Sequence, residues 1–181
     1  MTSNASQNTQ DLHSMDHIDD DRDIVAMWLK WDPKRLIAGA LAGLFAGLLT
    51  AAFAMAFAKI LGADPLFPIK FAALPILGEQ ALRFDNSLAI VVGLATHETL
   101  CLVLGVVYAH FTGINALPAL LGAGLMWGTF SWIFISCLFV QAFRDIAALE
   151  LPKQVFFPVN LVFGLALAST GFFDRLVRGK N

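Results

Sequence analysis

The chain has 181 residues, of which 57% are hydrophobic and 14% charged, with a formal net charge of −2. Soluble domains carry about 25% charged residues, so a mostly water-facing surface is excluded, and the mean hydropathy of +0.69 agrees. The length suits one domain, and no basic run of the nucleic-acid-binding kind occurs.

The charge is uneven. Residues 1–23 carry six aspartates (Asp11, Asp16, Asp19, Asp20, Asp21, Asp23) against Arg22. This stretch has no apolar stripe to bury and is predicted to be a disordered acidic tail. It is not a signal peptide, since it lacks an apolar core and a cleavage site. The first apolar run is therefore expected to act as its own insertion signal. His13, Asp16, His17 and Asp20 follow an i, i+3, i+4, i+7 spacing that would place them on one helical face, a pattern able to hold a divalent metal. In a disordered acidic tail weak adventitious binding is the plainer reading, and no metal site is assigned.

Residues 24–181 are predicted to form the transmembrane domain. Ile24–Trp31 is amphipathic and aromatic and reads as an interfacial segment, with Trp28 and Trp31 at headgroup depth. Four long apolar runs follow. Leu36–Ala58 is uncharged, Leu88–Ala109 is interrupted only by His97 and Glu98, and Ala116–Val140 and Val155–Phe173 are uncharged. A spanning helix needs about 20 apolar residues. Without apolar/polar alternation a β-barrel is excluded. The fold class is an all-α polytopic membrane bundle of four transmembrane helices, over about 36–58, 88–111, 116–140 and 155–176. Short interfacial helices are expected over Phe71–Phe84 and 141–154, with a tight turn at 110–115. The flanks holding both termini carry seven Lys or Arg against five on the opposite side, which favours cytoplasmic termini. No internal repeat of the kind found in inverted-repeat transporters is evident.

Several residues invite a role. Gly39, Gly43 and Gly47 form a flat face on the first helix that lets another helix approach closely. Gly124 and Gly128 on the third have the same spacing and are expected to be its partner. His97 and Glu98 fall near mid-bilayer, where a charged side chain costs roughly 2.5–3.5 kcal/mol on insertion scales. Three readings stay open for them: hydrogen-bonded glue between helices, a proton-relay or ligand role, and contact with another subunit. Gly93, His97, Cys101, Leu104 and Tyr108 share one face, and Glu98 lies about 100° around. Partners are expected among Thr96, Thr99, Thr129, Ser131, Trp132, Ser136, Asn160, Ser169 and Thr170. Cys101 and Cys137 lie in apolar runs and read as buried thiols rather than a disulfide. His97 and His110, thirteen apart, approach the spacing of stacked haem sites, but each haem would lack a second axial histidine. No haem or other cofactor is predicted, and no nucleotide, phosphate or protease motif occurs.

From Thr96 onward the chain reads THETLCLVLGVVYAHF, then ALLGAGLMWG, then PVNLVFGLAL and a basic DRLVR end. This order resembles the YagU-like group of small bacterial inner-membrane proteins. The shared points are Thr96-His97, Tyr108, Gly122, Gly124 and Asn160 through Gly164, over about residues 96–178. The resemblance implies an inner-membrane location and no established catalytic activity. That group more often has His at the Asn160 position, so this chain lacks the His pair. The leading expectation is a non-enzymatic accessory or scaffold subunit of a larger membrane assembly, or a homo-oligomer. The alternatives are a small transporter or proton conductor using His97 and Glu98, and a redox or haem-binding subunit.

Overall fold

The computed structural model of the protein describes residues 31–83, 87–113, 116–139 and 153–179. The acidic tail with His13, Asp16, His17 and Asp20, the interfacial stretch as far as Lys30, and residues 141–152 of the surface helix expected over 141–154 lie outside the described residues, whereas Lys153 and Gln154 begin the next long helix, Lys153–Ala166. The described chain is all-α. Its long elements are α1 (Pro33–Ile60), α4 (Ser87–Thr112), α5 (Leu117–Phe134, continued by a π turn over Ile135–Phe139), α6 (Lys153–Ala166) and α7 (Thr170–Arg178). A 3₁₀ turn, Leu167–Ser169, joins the last two. Four stretches are long and apolar enough to cross a membrane: Pro33–Ile60, Ser87–Thr112, Leu117–Cys137 and Phe156–Arg178. The chain is a multi-pass helical membrane protein.

Local chemistry sets the ends of these elements. Gly62, at φ 76°, stops α1. Its N–H donates to Lys59 O at 3.1 Å and Ala63 N–H to Ala58 O at 2.9 Å, the paired bonds that close a helix on a left-handed glycine. Pro118 opens α5 in its first turn, where a missing N–H costs nothing. Between the first two spans lie α2 (Phe67–Ala72), α3 (Leu74–Leu77) and a 3₁₀ turn over Gly78–Leu82. The helical connection thus begins four residues earlier than expected, because Pro68 supplies a start signal before Phe71. The expected turn at 110–115 also shifts, since α4 stays helical to Thr112, whose hydroxyl donates to Tyr108 O at 2.8 Å.

α1 turns the soluble pattern inside out. Ala38, Gly39, Ala42, Gly43, Ala46 and Gly47 are buried, whereas Leu41, Phe45, Leu48 and Leu49 are exposed. Lipid is as apolar as leucine, so burying large side chains gains little, and close packing of small ones drives association. A methyl group on Gly39 would lie 2.6 Å from Gly105 O, and one on Gly43 would lie 3.0 Å from Leu102 Cα. One on Gly105 would lie 2.6 Å from Gly43 Cα. α1 and α4 therefore run antiparallel with their backbones in contact.

The third-helix glycines behave differently from expectation. Gly124 packs against Gly164, and a methyl on Gly128 would lie 2.5 Å from Asn160 O. Their partner is the fourth span, not the first, because Gly164 gives α6 a small face of its own. α5 leans along α6 and makes little contact with α4. It is tied to α4 close to their connecting turn, where the buried Tyr108 hydroxyl donates to Leu120 O at 2.7 Å and its ring meets Trp127 edge-on.

At the end holding residues 33 and 178, charge replaces small-residue packing. Asp174 is 1% exposed and Arg35 8%. Arg35 Nε donates to Ala109 O at 2.8 Å, and its guanidinium comes within 3.9 Å of Asp174. Arg178 Nε lies 2.9 and 3.0 Å from the two Asp174 oxygens. This cluster binds first, second and last spans together. Arg35 and, on the opposite side, the buried Lys70 are thus packed inside the protein. Each flank loses one orienting charge, so the charge bias is unchanged.

The glycine contacts predict a sharp contrast. Gly43→Leu should remove most of the folded protein in detergent. Gly122→Ala, where a Cβ meets nothing within 4 Å, should be neutral or stabilising by up to about 1 kcal/mol. Thermal unfolding of both variants checks this, and equal shifts would contradict the backbone contact.

Candidate intramembrane site

Midway along α1 and α4, two polar side chains converge on one glycine. His97 Nε2 lies 3.1 Å from Gly47 O. A carbonyl only accepts, so Nε2 carries the hydrogen, and Cys101 Sγ sits 3.6 Å from the same nitrogen. On the other side of the contact, a methyl on Gly47 would lie 2.6 Å from Glu98 Oε2. His97 and Glu98 thus straddle Gly47 although they leave α4 about 100° apart. Both Glu98 oxygens are buried with no hydrogen-bond partner among the described residues.

The hydroxyls nominated by sequence do not serve this pair. Thr96 and Thr129 donate to carbonyls of their own helices at 2.8 and 2.9 Å, and Thr170 donates to Leu167 O in the preceding 3₁₀ turn at 2.7 Å. The Ser131 and Ser169 hydroxyls and the Trp132 indole N–H are buried with no hydrogen-bond partner among the described residues. Asn160 donates to Phe156 O at 2.8 Å. The missed partner is the Gly47 carbonyl, which carries no sequence signal beyond its place in a glycine face. Cys101 and Cys137 are free thiols; Cys101 is buried as expected, but Cys137 is exposed on the outer surface of the π turn. Among the described residues no three His, Cys, Asp or Glu group together as a metal site would require.

Beside His97 lies a cavity of about 370 Å³. It occupies the half of the bundle away from the Arg35–Asp174 cluster. Its walls come from α1 beyond Thr50, the middle of α4, the first half of α6, and Ile135 of α5. Among the described residues, Thr50, Thr96, His97 and Asn160 supply the polar lining, and no Asp, Glu, Lys or Arg takes part. The space exists because Gly124 and Gly128 draw α5 toward α6 and away from α4.

α2 closes the outer end with Phe67, Pro68, Ile69 and Phe71. A side chain on Gly93 would run into the Ile69 carbonyl, so glycine there lets the cap sit directly on α4. Phe71 packs on Phe156 of α6 with ring centroids 5.4 Å apart. Asp64 holds the start of the cap: it accepts Leu66 N–H at 2.9 Å and pairs with the buried Lys70 at 3.1 Å. The Leu66 N–H first, and then Lys70, hold its carboxyl below the ordinary 3.8. A depressed carboxyl contributes fully above its ordinary value and loses that contribution as pH falls through the lowered one, so the cap is set throughout the neutral range.

No protein family, curated sequence or solved structure matches the chain in comparison.

The unpartnered carboxyl yields a test. Glu98→Gln should leave thermal stability nearly unchanged. Glu98→Leu should raise it by roughly 1 kcal/mol, since a buried polar group without a partner carries a desolvation cost. Marked destabilisation of Glu98→Leu, measured by thermal unfolding in detergent, would show that the carboxyl has a partner.

Proposed function

We propose that the protein is a non-enzymatic membrane protein that holds an apolar ligand in the cavity between α1, α4 and α6. One observation carries this reading: a partly open space of about 370 Å³ between the spans, with no charged side chain among its described lining residues. Ligand sites are typically cavities of about 300–1,000 Å³, mostly apolar with a few placed polar groups. The weak contact between α4 and α5 offers a path from the bilayer that bypasses the water phase.

A scaffold or accessory role draws less support from the glycine faces, because Gly39, Gly43, Gly124 and Gly128 are occupied within the chain. Such a role would have to use outward faces of the spans, such as that of α5, where Met126, Phe130 and Ile133 are exposed. Proton conduction draws less support too. Between His97 and the Asp174 cluster, Gly43, Cys101 and Gly105 stand in backbone contact, leaving no wet path along that interface. The wider setting we propose is a bacterial inner membrane with both termini cytoplasmic, as the charge bias and the likeness of residues 96–178 to YagU-like proteins favour.

Photolabelling with an alkyl diazirine in nanodiscs tests the proposal. Labels should concentrate on residues 50–58, 96–104 and 156–163, and excess unlabelled alkane should compete them away. Ala54→Phe, which fills the cavity, should abolish the competed fraction while leaving thermal stability in place. Labelling spread evenly over outward residues such as Leu48 and Met126, with no competed fraction, would refute it.

A further inference from the structure

The polar groups around the cavity are not equivalent. Thr96 spends its hydroxyl hydrogen on Val92 O. Asn160 spends an amide hydrogen on Phe156 O, and His97 Nε2 is engaged with Gly47 O. Thr50 differs: it lines the same cavity, is 4% exposed, and its hydroxyl has no partner among the described residues. A buried threonine on a helix ordinarily satisfies itself against the carbonyl one turn back, as Thr96 does. A hydroxyl left unsatisfied in an apolar setting is costly, and the cost falls away if something in the cavity accepts its hydrogen.

We propose that the cavity is selective for a neutral lipid bearing one hydrogen-bond-accepting oxygen, a ketone, quinone or ester carbonyl or an alcohol, seated against Thr50. This rests on the cavity being a binding site, as proposed above, and adds the chemistry of what it takes. Neutrality follows from the lining, which has no Asp, Glu, Lys or Arg among the described residues to offset a ligand charge. The acceptor follows from Thr50, the lining hydroxyl with no partner among the described residues. The orientation follows from position. Thr50 and His97 lie near mid-span, whereas the outer end is closed by Phe67, Ile69 and Phe71. The oxygen therefore points toward the bilayer centre, the reverse of an ordinary lipid headgroup.

The experiment is competition against the alkyl diazirine in nanodiscs, using an alkane, a methyl ketone and a fatty acid of equal chain length at pH 7.5. The ketone should compete about five-fold better than the alkane, the value of one neutral hydrogen bond, and the fatty acid worse than the ketone. Thr50→Val keeps the shape and removes the donor, so it should abolish the ketone's advantage with alkane competition unchanged. Thr50→Ser should retain it. Equal competition by ketone and alkane in the wild type, a fatty acid that competes best, or an advantage that survives Thr50→Val would each overturn the selectivity while leaving the cavity a binding site. A complete lack of competed labelling would instead remove the binding reading beneath it.

Discussion

Backbone contact between α1 and α4 is the constraint on which the rest of the structure depends. In lipid there is little hydrophobic drive between helices, and association relies on dispersion and on hydrogen bonds across the interface. Dispersion falls off within an ångström of separation, so the stripe of Gly39, Gly43 and Gly47 against Cys101 and Gly105 brings the two backbones into contact. That approach delivers His97 to the Gly47 carbonyl. The same closeness leaves Gly47 no room for a side chain beside Glu98.

A second glycine pairing, Gly124 with Gly164, determines what remains open. It commits α5 to α6, and the buried Tyr108 bond to Leu120 holds α5 to α4 near their turn. Beyond that point the two helices part. The bundle is consequently tight at the Arg35–Asp174 end and hollow in the opposite half. Large side chains could have filled the hollow, but α1 presents Ala51, Ala54 and Ala58 to it. The cap then closes the space using Asp64, Lys70 and Gly93. Two close contacts and one cap suffice to define a cavity whose described lining carries no charge, in a chain of modest size.

The number of spans was legible from the sequence, because three apolar runs of 19 or more residues carry no charge and the fourth is broken only by His97 and Glu98, a pattern that admits few other readings. The small face of α1 was also legible, since glycines four apart share one side of a helix. The choice of partner for each face was not. Gly124 and Gly128 match the first helix in spacing as well as they match α6, and only three-dimensional placement separates the two. Glu98 and His97 stood out as costly residues, but the group that receives His97 is a backbone carbonyl, which no side-chain pattern announces. Lys70 and Arg35 were read as orienting charges; their burial depends on Asp64, six residues away, and on Asp174, at the other end of the chain. Thr50 was invisible as a site residue because a lone threonine among alanines reads as helix packing. Its difference from Thr96 lies in a hydrogen bond not made.

The most direct test of the account is solid-state NMR on the protein in lipid bilayers with ¹³C-labelled glycine. The structure predicts through-space correlations between Gly43 and Gly105 and between Gly124 and Gly164, and none between Gly43 and either Gly124 or Gly128. Correlations of Gly43 with the third-span glycines would contradict it, since α5 would then fill the space that the cavity occupies.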